Sequence, residues 1–176
     1  MDAIVSVDLN YGIGCGNELL LKIPEDLKNF KNLTLNNFVV MGSKTYESLP
    51  TYPNGLSKRF NIVITSNSSK YIANCNDKHV YFYDNIDLVL KNVRYTSLLY
   101  KLKVFIIGGA SIYSQFLPYC DKIHLTKIYK AFPSDKKLEN IELSNNWILD
   151  SSSEINTSII GVDYNFLTFK RTVRGV

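Results

Sequence analysis

The sequence predicts an α/β fold. One domain is expected over residues 1–176, with a central, mostly parallel sheet of about eight strands, an antiparallel C-terminal edge and helices on both faces. Three observations carry this. Short apolar runs alternate with segments of helical period, the pattern that a parallel sheet with crossover helices requires. The chain is 45% hydrophobic and 20% charged over 176 residues, enough for one domain with a real core. Beyond residue 128 the helical signals fade while strand signals continue, which places the last strands antiparallel along one edge.

The elements follow in order. "AIVSV" is the first strand and "IPEDLKNFKNLT" the first helix, where Pro24 suits the opening turn and Glu25 and Asp26 favour its positive end. "FVVMG" is a strand ending on Gly42, and "SKTYESL" a short helix. "NIVIT" is the third strand, followed by a polar loop from Ser66 to Lys78. "VYFY" is the fourth. In "NIDLVLKNV" the spacing of Ile86, Val89, Leu90 and Val93 predicts one apolar helix face. "VFIIGG" is a fifth strand, "SIYSQFL" a helix ending near Pro118, and "KIHLTKI" a sixth strand. "NWILDSS" and "NFLTFKRTV" close the sheet, separated by turn formers around Gly161.

Composition narrows the function. The net charge is +4 with Lys and Arg scattered, so no nucleic-acid surface is expected, although a mild positive excess helps collect an anionic ligand. Cys15, Cys75 and Cys120 form no CxxC pair and imply reduced thiols in a cytoplasmic protein. His79 and His124 lack ligand spacing, so no metal site is predicted. No signal peptide and no membrane-spanning run is visible.

Two places fit a ligand. "VVMGSKT" and "FIIGGASIY" each pass from an apolar strand through glycine into a helix start, where backbone N–H groups can receive phosphate oxygens. Hydroxyls at Ser43, Thr45 and Ser111 add to this, and the pair points to a diphosphate-bearing ligand. Neither turn is a P-loop or a GxGxxG fingerprint. Asp26 shares a helix face with Phe30, four residues on. It is either a residue that merely suits the helix start or a carboxylate poised in an apolar pocket.

The ordered motifs decide between these. "NYGIGCGNEL", "IPEDLKNF", "VVMGSKTYESL", "LSKRFNIVIT", "FIIGGASIYSQFLP" and "IHLTKI" together resemble the dihydrofolate reductases over nearly the whole chain. The resemblance implies NADPH-dependent reduction of dihydrofolate to tetrahydrofolate. Hydride passes to pterin C6 and a proton reaches N5 through water, in support of thymidylate and one-carbon metabolism. It implies a monomer whose partners are dihydrofolate and antifolate-type small molecules. Asp26 matches the family carboxylate that accepts from the pterin N3–H and 2-amino group, and Thr126 the hydroxyl bridging carboxylate and amino group. Ile4, Val5, Ile107 and Tyr113 match residues around the pterin. Leu27, Phe30, Leu49 and Leu56 match the walls of the aminobenzoyl ring, and Arg59 the fork for the glutamate α-carboxylate. For the cofactor, Ser6, Ile13 and Gly14 match nicotinamide contacts. Gly42, Ser43, Lys44 and Thr45, with Gly108, Gly109, Ala110, Ser111 and Ile112, match the phosphate turns, and Thr65, Ser66 and Asn67 complete the cofactor set. The Gly108–Gly109 bond is cis in this family.

Three departures stand out. Leu20-Leu21 replaces the usual Pro-Trp, so Leu21, in a place the family gives to a catalytic tryptophan, keeps an apolar wall but cannot hold a water. Ser43, Ser66 and Ser111 stand where basic residues often grip the 2′-phosphate, leaving Lys44 and Lys70. Lys136 in "PSDKKL" interrupts the family's Asp-Thr pair, so loop closure is expected to differ. Two alternatives remain: a folate- or nucleotide-binding protein that has lost most turnover, and a pyrimidine reductase of the riboflavin pathway, which shares the fold. The set Asp26, Phe30, Arg59 and Thr126 argues against both.

Overall fold

The computed structural model describes residues 1–172. Six strands run parallel: β1 (Asp2–Val7), β3 (Phe38–Gly42), β4 (Phe60–Ile64), β5 (Val80–Tyr83), β6 (Val104–Gly108) and β7 (Lys122–Ile128). The antiparallel edge is β9 (Trp147–Ser152), β10 (Asn156–Thr157) and β11 (Asp163–Arg171), giving the order β10-β11-β7-β1-β6-β3-β4-β5 with β9 also on β11. A small ribbon pairs β2 (Gly12–Gly14) with β8 (Lys136–Lys137). The helices are α1 (Pro24–Thr34), α2 (Ser43–Glu47), α3 (Ser69–Ile72), α4 (Ile86–Tyr100) and α5 (Ala110–Phe116).

Strand alternation assigns each residue to a face. Ala3, Val5 and Val7 join Phe38, Val40, Val104 and Ile106 under α4 and α5, where Val89, Val93, Ile112 and Phe116 are buried. Ile4, Val39, Met41 and Phe105 point the other way, toward Phe30 and Leu33 of α1. Both faces are therefore apolar, which is why these strands read as unbroken hydrophobic runs rather than alternating ones.

The expected strands lie within a residue or two of those observed. The segment from Ser66 to Lys78 is a correction, because it contains α3 and is not wholly loop. Helix α4 also runs past Val93 to Tyr100, capped by the Asn85 side chain and stopped by Lys101 in the left-handed conformation. Val173, the expected end of the last strand, lies outside the described residues. The Gly108–Gly109 and Tyr52–Pro53 peptide bonds are cis.

Candidate active site

Asp26 sits in the first turn of α1, above the end of β1. Ser6 of β1 and Thr126 of β7 are register partners in the parallel pair, so their side chains emerge together on the α1 face. The Thr126 hydroxyl donates to Asp26 Oδ1 at 2.5 Å. Burial pushes the Asp26 carboxyl above its ordinary range, while the Thr126 and Ser6 hydroxyls pull the other way and only partly offset it. Its sequence neighbour behaves oppositely. Glu25 accepts from Ser158 Oγ at 2.6 Å and from the Ile159 N–H at 3.0 Å, and these bonds hold its carboxyl below the usual value. Two adjacent carboxylates are thus driven apart in acidity, one tying α1 to the β10–β11 hairpin and the other kept for a ligand.

The expected walls assemble. Ile4, Phe30, Leu49, Leu56 and Ile107 pack in one cluster with Tyr46, and Leu27 lies at the surface with 43% of its area exposed. Tyr113 is buried and donates to the Ile4 carbonyl at 2.7 Å. Arg59 is buried against the end of α1. Its Nε–H donates to Thr34 Oγ1 at 3.2 Å, and its terminal nitrogens donate to the Ser57 carbonyl at 2.8 Å and the Lys31 carbonyl at 3.5 Å. Two of the five guanidinium N–H groups remain for an incoming carboxylate. Burial lowers the Arg59 pKa, yet a guanidinium stays charged.

Beside this pocket runs a cleft of about 720 Å³. It is lined by Val5, Ile107 and Tyr113 and by every residue assigned to the cofactor except Asn67. Asn67 Oδ1 is turned to Ser69 Oγ and the Lys70 N–H. Gly42 and Gly109 are the N-cap positions of α2 and α5 and offer no side-chain cap; the Ile112 N–H turns back to the Gly109 carbonyl at 2.9 Å, and the opening N–H groups of each helix have no side-chain partner. A Cβ on Gly42 would stand 3.1 Å from Ile112 Cγ1, and Gly108 has φ +120°, so the backbone comes closer here than other residues permit. These features suit a dinucleotide diphosphate.

Several contributors were not legible beforehand. Asp8 is fully buried and accepts from the N–H groups of Asn10, Gly12 and Phe132, fastening the early loop to the chain after β7. Asp135 Oδ1 accepts from the Gly16 N–H at 3.0 Å and pairs with Lys136 at 2.9 Å. The interruption at Lys136 therefore leaves an anchored loop with a cation in the cleft wall. Glu47 bonds Lys70 Nζ at 2.6 Å and the Tyr71 hydroxyl at 2.8 Å, and Lys44 also helps keep its carboxyl low. Leu21 packs against Ile23, Ile128 and Tyr164.

A carboxylate set beside a cleft that crosses the strand ends at two glycine turns defines a class: an α/β oxidoreductase that holds a dinucleotide next to a small ring. The family model for dihydrofolate reductase matches residues 1–171. The chain is 30% identical over 168 residues to the dihydrofolate reductase of Bacillus subtilis, covering 96% of this chain and 92% of that protein. It is 34% identical over 147 residues to that of Buchnera aphidicola, covering 77% and 83%. It is also 34% identical to a bifunctional dihydrofolate reductase-thymidylate synthase of Arabidopsis thaliana, of whose length it spans 34%. An Enterococcus faecalis dihydrofolate reductase complexed with NADP(H) and RAB-propyl superposes with a TM-score of 0.79 at 25% identity, over 98% of this chain and 96% of that one. The chain belongs to the dihydrofolate reductase family.

Proposed function

We propose that this chain reduces 7,8-dihydrofolate to 5,6,7,8-tetrahydrofolate with NADPH, acting as a monomeric, single-domain cytoplasmic enzyme open to antifolate-type inhibitors. The observation that carries the reading is the Asp26 carboxylate, desolvated, gripped by Thr126 and set beside Ser6, which lines the cleft. Asp26 accepts two hydrogen bonds from the pterin edge, and its charge favours the ring form that takes a proton at N5. Thr126 holds the carboxylate in register with the 2-amino group. Arg59 grips the glutamate tail, and Phe30, Leu49 and Leu56 exclude water around the aminobenzoyl ring. NADPH, when bound, supplies the hydride. Ser6, Ile13 and Gly14 set the nicotinamide face, and the α2 and α5 turns hold the phosphates. Among the described residues no helix is long and apolar enough to cross a membrane.

NADPH oxidation measured with and without dihydrofolate tests the reading. Turnover that requires dihydrofolate supports it. Tight binding of both ligands without oxidation points to a binding protein, and oxidation only with a pyrimidine substrate points to the riboflavin-type reductase.

Two further outcomes are expected. Because Glu47 compensates Lys70 and acts on Lys44, Glu47→Gln should raise the NADPH:NADH preference and Lys44→Ala should lower it. Both effects should shrink with added salt. An unchanged ratio in Lys44→Ala assigns the 2′-phosphate to another residue. Leu21→Trp, alone or with Leu20→Pro, should raise the hydride-transfer rate in single-turnover measurements. Overpacking against Tyr164 is the competing effect, and the unfolding midpoint separates the two. A variant equally stable but no faster makes Leu21 a neutral replacement.

A further inference from the structure

On the α4 face of the sheet, away from Asp26, lies a groove of about 920 Å³ that shares only Arg59, at its margin, with the residues of the proposed reaction. Its floor is made of outward-alternating side chains of β3, β4 and β5, among them Phe60, Ile62, Tyr81 and Tyr83. Its wall is the second half of α4, through Asn92, Thr96 and Tyr100. Ile62 and Phe38 are buried beneath it, while Tyr81 on the outer strand is 42% exposed, and the floor opens there for a structural reason. β5 is the sheet's edge, and α4 sinks Val89, Leu90 and Val93 into the core while its last turn leaves Tyr100 65% exposed.

Two properties make this more than an apolar gap. The aromatic rings are ordered against one another: Phe38 and Phe60 centroids lie 5.1 Å apart, and His79 stands edge-on to Phe60 at 5.4 Å. The charge is one-sided, since the Lys58 ammonium lines the groove with Arg59 beside it and no Asp or Glu does. Its rim is also fixed. Asn36 and Lys58 both hold left-handed backbones, φ 59° and 57°, and the Asn36 N–H donates to the Lys58 carbonyl at 2.8 Å. Non-glycine residues in that region gather at ligand sites.

We propose that this groove is a second ligand site, for a planar aromatic molecule bearing one anionic group. The ring lies on Phe60, Tyr81 and Tyr83, and the anion sits at the Lys58 end. The volume is that of small-molecule pockets, roughly 300–1,000 Å³. The sheet separates the groove from Asp26, and with the anion on Lys58 rather than on Arg59 both sites fill at once.

Calorimetric titration with 8-anilinonaphthalene-1-sulfonate, a monoanion with a planar naphthalene ring, tests this on the full chain. One saturable site is expected, with the same affinity when the cleft is filled with NADP⁺ and folate. Asn92→Trp, which fills the groove from α4, should abolish binding with reductase activity unchanged. Lys58→Ala should weaken binding about threefold to fivefold, the range of an exposed charge pair, and Tyr81→Ser should weaken it through lost stacking. The uncharged N-phenyl-1-naphthylamine should bind more weakly than the sulfonate. Displacement of the sulfonate by NADP⁺ and folate, undiminished binding in a folded Asn92→Trp protein, or equal binding of the uncharged amine would overturn the proposal. So would a dimer in sedimentation that Asn92→Trp dissociates, because a second copy would then be the occupant.

Discussion

Asp26→Asn should cut hydride transfer to dihydrofolate at neutral pH by about a hundredfold or more, the scale of a lost acid–base contribution. The amide keeps the shape but removes the charge and offers N–H₂ where the pterin needs an acceptor. The loss should shrink as pH falls and more substrate arrives protonated. Stability should move in the opposite direction. Burial raises the Asp26 pKa in the fold above its unfolded value, so at neutral pH the ionised carboxylate opposes folding. That opposition disappears as pH falls through the folded pKa, where the native state takes up the proton. The variant should therefore melt higher than the parent at pH 7, and the gap should close in acid. Near-normal turnover at neutral pH would remove Asp26 from the mechanism, and an equal or lower melting temperature would contradict the burial argument.

Arg59→Lys should raise the KM for dihydrofolate by about tenfold to a hundredfold, the equivalent of a hydrogen bond to a charged group at roughly 1.5–3 kcal/mol. Lysine keeps the charge and loses the planar fork. The kcat should change little, because the glutamate tail is bound equally in the ground and transition states. A pterin without the tail separates the effect from damage to the fold, which is a real concern given the bonds from Arg59 to Thr34 and the Ser57 carbonyl. Equal loss for both ligands would make Arg59 structural.

The central strands were legible because both faces are buried, so that a run such as "FVVMG" has no other good solution, whereas "KIHLTKI" was legible from its alternation of buried and half-exposed residues. Pieces too short for any period escaped: β2 and β8, with three and two residues, and the four-residue α3, which no side chain caps. Helix α4 was underestimated because Arg94, Tyr95, Thr96 and Ser97 follow Val93 with no core-facing apolar residue among them. In the site, Asp26 stood out by the helix face it shares with Phe30 and was decided by the order of motifs, from which alone Thr126 and Arg59 came. What no local pattern announces is a bond between distant residues. Glu25 to Ser158 spans 133 positions, and Glu47 to Lys70 spans 23. Ser6 was placed beside the nicotinamide, and only the β1–β7 register shows its hydroxyl turned to Asp26 as well.

The Asp26–Thr126 bond joins residues 100 positions apart, and Ser6 completes it only after β7 has paired with β1. During synthesis the chain must therefore extend past Thr126 before the Asp26 pocket exists. A ligand of this pocket consequently recognises the finished fold and has no purchase on the nascent or unfolded chain. At a hundred times its Kd such a compound adds about 2.7 kcal/mol to the native state. A tight inhibitor should thus act as a pharmacological chaperone, rescuing the cellular abundance of destabilised variants while blocking their turnover. Soluble protein level and growth would then respond to the drug in opposite directions.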